Sequence, residues 1–179
     1  MVPRNYGFNL RETDVYYLIA KALKSGLKLS QNTIFFEVPV LESRADIAYV
    51  QPPDRNENLL ACGIHLFEVK MPSDSSKKRL KKQIRDYMSV AEYVWIIGFN
   101  KIPHDVNENA GLLIFSSKGC TIKVVRPPKI NAKTIDIGLR EQLLENMSSS
   151  LYRKARLIDE MAWVNSDGER QVMIQKKLI

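Results

Sequence analysis

Cysteine and histidine are scarce in this 179-residue chain, with two of each. Cys62 and Cys120 lie far apart and have no second Cys or His at metal-ligand spacing, which argues against a zinc module; both read as free thiols. His104 falls in a polar loop, and His65 alternates to the strand face opposite Glu68, so neither recommends itself as a ligand. Long apolar runs are missing too: "YVWIIGF" is far too short to cross a bilayer. The opening "MVPRNYGFNL" has neither the basic start nor the apolar stretch of a signal peptide, so an intracellular location is the default expectation. No internal repeat or low-complexity segment stands out.

What is present is an ordinary globular composition, 45% hydrophobic and 26% charged, in a chain long enough for one domain with a terminal extension. The balance is basic, with a formal net charge of +7 and a sequence pI near 9.4. An acidic partner is expected, nucleic acid before membrane, because no strongly amphipathic basic helix with large aromatics accompanies the charge.

Residues 9–24 read as a helix whose buried face carries Val15, Leu18, Ile19, Ala22 and Leu23, with Gly26 as its stop. Glu12 falls on that same face at about 100° per residue. Asn9 to Glu12 also fits an N-terminal capping box, in which Glu12 reaches back to the Asn9 amide. Three strands follow, "TIFFEVPVL", "RADIAYV" and "GIHLFEVKM", the last two separated by a polar, Pro-containing loop. A helix over 75–91 with Leu80, Ile84, Met88 and Ala91 as its core stripe precedes "YVWIIGF", a central strand buried on both faces. Strands "GLLIFS" and "TIKVVR" then surround a Lys118-Gly119 turn. Pro127-Pro128 opens a different region, helical in two pieces from about residue 134 to 163 and interrupted near "NMSSS". The expected class is α/β, a central mixed sheet flanked by helices, with residues 129–179 as a helical extension that packs on the core or on a second subunit.

Asp46, Glu68 and Lys70 are hard to place in such strands. Glu68 and Lys70, two apart, project from one side of a strand whose neighbours Phe67 and Val69 belong to a core. Desolvating each charge costs several kcal/mol unless it is paired or metal-bound. If the Asp46 strand pairs beside them, two carboxylates and an ammonium converge on a patch able to hold a divalent metal and a polarised water. The competing reading is a plain solvated sheet face. Glu37 is either an auxiliary acid or, preferably, an outward residue on an edge strand marked by Pro39.

This series resembles the PD-(D/E)xK nuclease superfamily, the restriction-endonuclease-like fold shared with archaeal Holliday-junction resolvases. Its αβββαβ order, a helix-one acid, an Asp opening the second strand, a Glu-x-Lys on the third and a Gln-x-x-x-Tyr on the next helix are matched by Glu12, Asp46, Glu68-Val69-Lys70 and Gln83…Tyr87. Ala45 replaces the Pro of the family's name, and Asp14 aligns nearly as well as Glu12. The resemblance covers roughly residues 9–126 and places the nuclease-like domain at 1–128.

It implies a Mg²⁺-dependent deoxyribonuclease, with Mn²⁺ as substitute. Asp46, Glu68 and the Val69 carbonyl would hold the metal, Glu12 would assist, Lys70 would orient the attacking water, and Gln83 would bond that water or a phosphate. It also implies a homodimer cutting DNA, with branched or otherwise structured DNA as the expected substrate, as for junction resolvases. Taken alone, Gln83 is a boundary residue and Tyr87 a core aromatic; their place after the Glu-x-Lys favours the site. Lys77 and Arg79 are placed to flank it. Lys78, Lys81, Lys82 and Arg85 point mostly away from the core stripe, where they form a solvated face or, with Lys82 and Tyr87 among the contacts, meet the nucleic acid.

Overall fold

A computed structural model describes residues 12–29, 34–51, 63–74, 76–104, 106–131 and 133–147. Their order is α1 (Glu12–Leu27), β1 (Ile34–Val40), β2 (Ser43–Gln51), β3 (Gly63–Lys70), α2 (Lys77–Met88), β4 (Tyr93–Phe99), β5 (Gly111–Ser116), β6 (Thr121–Arg126) and α3 (Ile137–Asn146). The six strands form one sheet in sequence order. β1, β2 and β3 pair antiparallel, β3–β4 and β4–β5 pair parallel, and β6 returns antiparallel to β5. Parallel pairing needs a crossover, and α2 supplies the one between β3 and β4.

Strands β1–β5 bury both faces of the sheet, while edge strand β6 is largely exposed. α1 covers one with Val15, Leu18, Ile19, Ala22 and Leu23, against Ile47, Phe67, Val69 and Ile97. α2 and α3 cover the other with Leu80, Ile84, Tyr87, Leu143 and Met147, against Leu66, Val94 and Ile96. β4 contributes to both layers, as its uninterrupted apolar run predicts.

Several boundaries differ from the sequence reading, three of them instructively. α1 does not stop at Gly26 but runs to Leu27, because Lys28 adopts the left-handed conformation (φ 55°) and the Leu29 amide bonds back to the Lys24 carbonyl at 3.1 Å, closing a Schellman-type end. Gly26 serves a close approach instead: a Cβ there would come within 2.7 Å of Ile122 on β6. α2 spans 77–88 rather than 75–91, since Ser76 caps it and its side chain accepts the Arg79 amide. Asp46 does not open the second strand, which begins three residues earlier at Ser43.

α3, capped by Asp136 accepting from the Leu139 amide, packs its Leu143 on the core. The second predicted helical piece, beyond residue 147, lies outside the described residues.

Candidate functional site

The strands β1 and β2 alternate regularly until one register position. Phe36 pairs with Ile47 and Val38 with Ala45, and the register of the ladder passes over Glu37 and Asp46 between them. Glu37 sits there at φ 50°. Phe35 and Ala48 face α2, and so do Val38 and Ala45 three residues away, where strict alternation would turn them to α1. The break therefore reverses the faces of both strands together, with the register the same on either side of it, and it re-aims the side chain that lies between. β1 is an edge strand as read, but Glu37 is half-buried rather than outward, and pairs with Arg44 at 3.4 Å.

Asp46 is the side chain that the break re-aims. It is buried, and its Oδ2 accepts the Val69 amide of β3 at 2.6 Å while Oδ1 accepts the Tyr16 hydroxyl of α1 at 2.7 Å. The last paired residues of β2 and β3 are Ile47 and Phe67, so the Asp46 carboxylate substitutes for ladder bonding just beyond them. In a strand the N–H and C=O of one residue face the same neighbour, which directs the Val69 carbonyl toward Asp46 as well.

Glu68 lies on the α2 side, 2% exposed. Lys70, on the same face of β3 as predicted, places Nζ 2.8 Å from Glu68 Oε1 and 3.5 Å from Gln83 Oε1. The Tyr87 hydroxyl lies 2.6 Å from Glu68 Oε2 and 2.5 Å from the Arg44 carbonyl. A phenol has one proton to donate, so those two acceptors share it. Burial first, then the charge of Glu68 and its hydrogen bond, push the Tyr87 hydroxyl far above the ordinary tyrosine range; Asp46 and Tyr16 act in the same direction. Tyr16, Asp46, Glu68 and Tyr87 are thus one electrostatic unit, joined to Lys70 and Gln83.

The β1–β2 turn is tied to α2 by Ser43 Oγ donating to Asp86 at 2.5 Å and by the Lys82–Glu42 ion pair. Lys82 holds the exposed Glu42 carboxyl below its usual range. These ties fix Arg44 and Asp46 relative to Gln83 and Tyr87.

Two clefts meet at the Lys70–Gln83 contact. The first, about 410 Å³, lies between the β1–β2 turn and α2 and is lined by Glu42, Ser43, Arg44, Arg79, Lys82 and Gln83. The second, about 290 Å³, lies between the β3–α2 and β4–β5 connections and includes Lys70 and Lys77. Lys77 and Arg79 do flank the unit, one in each cleft. Lys82, read from sequence as facing away from the core stripe, lines the first cleft because the β1–β2 turn folds up beside it.

The sequence reading brought together Asp46, Glu68, Lys70, Gln83 and Tyr87, and the fold joins all five, but Tyr87, expected among the nucleic-acid contacts, is fully buried with its hydroxyl on Glu68 and the Arg44 carbonyl and has no surface to offer a nucleic acid. Glu12 begins α1, but its side chain and that of Asp14 fall outside the described residues. Tyr16 was missed. It follows Glu12 by four residues, the spacing that sets two side chains on one helix face, and that spacing was the available signal. His65 is buried on the opposite face, its Nδ1 accepting from Trp95 Nε1 at 3.1 Å. Among the described residues no three His, Cys, Asp or Glu side chains form a metal-holding group; the local carboxylates are Asp46 and Glu68. No helix among those residues is long and apolar enough to cross a membrane.

A solved protein of unknown function from Silicibacter pomeroyi has a similar fold, with a TM-score of 0.54 and 15% identity over 90% of this chain and 96% of that one. At that identity the likeness concerns the fold alone. No curated protein matches this sequence. Residues 8–178 match the family described as bacteriophage P4 protein cII, a span that takes in the whole sheet, all three helices and the polar unit between them. The chain belongs to the bacteriophage P4 protein cII family.

Proposed function

We propose that this chain is a metal-dependent deoxyribonuclease with a restriction-endonuclease-like core, a member of the PD-(D/E)xK superfamily. The observation that carries the reading is the Lys70 ammonium 2.8 Å from buried Glu68, beside an Asp46 carboxylate turned onto the Val69 amide, at the meeting point of two clefts lined by cations. The αβββαβ order supports it.

The donor set suits Mg²⁺ or Mn²⁺: two carboxylates and the Val69 carbonyl are hard oxygen ligands, with no sulfur or imidazole among them. When bound, such an ion lowers the pKa of a coordinated water and offsets the charge that builds on the phosphate. The protein groups do the rest. Tyr16 and the Val69 amide hold Asp46 in one orientation, and Tyr87 and Lys70 do the same for Glu68. Each carboxylate oxygen keeps a second lone pair for a ligand. Lys70 adds a fixed positive charge where the attacking water and the scissile phosphate meet, and Gln83 steadies it. Arg44, Arg79, Lys77 and Lys82 hold the DNA backbone through salt-dependent phosphate contacts. A homodimer cutting two strands of a branched DNA is the arrangement that the resemblance implies.

One observation favours a second reading, a DNA-binding protein that keeps the fold without the chemistry. All four carboxylate oxygens of Asp46 and Glu68 already accept a donor from the protein itself.

Cleavage of labelled duplex, single-stranded, flap and four-way-junction DNA with Mg²⁺ or Mn²⁺, with an EDTA control, separates the two. Metal-dependent cutting that Glu68→Ala and Lys70→Ala both abolish is the expected result. Binding without cutting by the intact protein moves the assignment to the second reading.

A further inference from the structure

The two clefts beside the site differ in chemistry. The first is lined by polar residues, with Arg44, Arg79 and Lys82 as its cations and Glu42, paired with Lys82, as its acid, and suits a phosphate backbone. The second has aliphatic walls, Leu80, Ile102 and Pro103 among them, with exposed Lys77 and Lys101 alongside and the Asp74 carboxylate tied to the Met71 amide at 3.0 Å. Aliphatic walls offer nothing to phosphate oxygens, but they match the flat, weakly hydrated face of a nucleobase. At about 290 Å³ the cleft is at the small end of ligand sites, the scale of a single nucleotide rather than a duplex.

The loop bearing Ile102 is built to stand there. Gly98 is the β4 partner of Lys70, and the chain folds back directly over it: a Cβ on Gly98 would lie 2.0 Å from the Lys101 carbonyl oxygen and 2.6 Å from Pro103 Cδ. Asn100 makes the reversal in the left-handed region (φ 58°), which Asn tolerates better than most residues. Its amide donates to the Phe115 carbonyl at 2.8 Å, and its side chain exchanges hydrogen bonds with Ser117 at 2.9 Å each way. So anchored, the loop holds Ile102 out at 49% exposure beside Lys70.

We infer that the Ile102–Pro103 loop is a wedge that unstacks the nucleobase next to the scissile phosphate, and that the cleft behind it receives this base, so the substrate is a single-stranded or splayed DNA end rather than continuous duplex. Apolar side chains inserted between base steps unstack them in other DNA-bound proteins. The polar cleft then carries the strand's phosphates on the other side of Lys70. This inference rests on the nuclease reading for the position of the scissile phosphate, but its test needs no cleavage.

Fluorescence anisotropy in EDTA would compare three labelled probes with the full chain: single-stranded oligothymidine, a blunt duplex, and a duplex with splayed single-stranded arms. The intact protein is expected to favour the single-stranded and splayed probes. Ile102→Ala, at an exposed position, should weaken those two by about five- to tenfold and the blunt duplex by less than about twofold. Gly98→Ala, which pushes the loop away, should reproduce that selectivity wherever circular dichroism shows it folded. Equal affinity of the intact protein for all probes, or an Ile102→Ala effect that is absent or equal on all three, overturns the wedge. Selective loss of single-strand binding in a protein that never cuts DNA leaves the wedge standing and removes the nuclease reading.

Discussion

The two ends of β3 both bury polar side chains, yet they are built to opposite purposes. At its start, His65 stacks on Tyr93 (ring centroids 4.6 Å apart, 14° between planes) and accepts from Trp95. Beside it Glu92 takes the Ile64 amide at 2.7 Å on one oxygen and Arg140 at 2.9 Å on the other, tying α3 to the sheet. Acid and base there match within the fold. At the other end Asp46 and Glu68 are matched as well, but two clefts open beside them, and Lys77, Arg79 and Lys101 line those clefts in addition to the ion-paired Arg44, Lys70 and Lys82. Burial of polar groups is therefore a poor pointer to function by itself. An opening lined by several cations next to the buried groups is the better one.

If the contrast holds, mutations at the two ends must fail in different ways. The largest effect is expected from Asp46→Asn, which keeps shape and loses charge: DNA cleavage should fall by about 10²–10³-fold while thermal unfolding moves little. Comparable loss of stability and of rate per folded molecule would make Asp46 a structural residue. Next comes Glu92→Ala at the opposite end, which strands the Ile64 amide and the Arg140 guanidinium. Urea unfolding should show a loss of roughly 2–3 kcal/mol with the cleavage rate of the folded fraction unchanged.

Tyr16→Phe removes only the hydroxyl that orients Asp46. Mn²⁺ titration is expected to show about tenfold weaker binding, against a stability cost of about 1 kcal/mol; unchanged Mn²⁺ affinity would confine Tyr16 to packing. The smallest effect at neutral pH concerns Tyr87, whose folded pKa is raised. A raised group binds its proton more tightly when folded, so its contribution is complete below the unfolded value of about 10 and is lost as pH climbs beyond it. Alkaline unfolding of the intact protein should steepen above that pH, and Tyr87→Phe should flatten the profile.

Much of the fold was legible because it is written in local periodicity. β4, β5 and β6 have the predicted bounds, and the α1 stripe from Val15 to Leu23 is buried as its spacing requires. Helix ends were less legible, since Lys28 rather than Gly26 takes the left-handed turn, a choice made by the approach of β6. For the site, the two-residue spacing of Glu68 and Lys70 placed both on one face, and the Lys–Glu contact follows from it.

Composition and hydrophobic period were enough to specify a mixed α/β chain and to single out Asp46, Glu68 and Lys70, because those signals live within a few residues of a strand, whereas Gln83 and Tyr87 stood out only through the resemblance to a known family. Folding alone settled which partners they meet. Tyr16 stands 30 residues from Asp46, and Tyr87 stands 43 from the Arg44 carbonyl that shares its proton. The reversal of faces at Glu37 and Asp46 arises in the pairing of two strands, and the clefts arise where separate loops close over Lys70 and Gln83. Such contacts join distant parts of the chain, and no local pattern records them because their energy exists only once the sheet has brought those parts together.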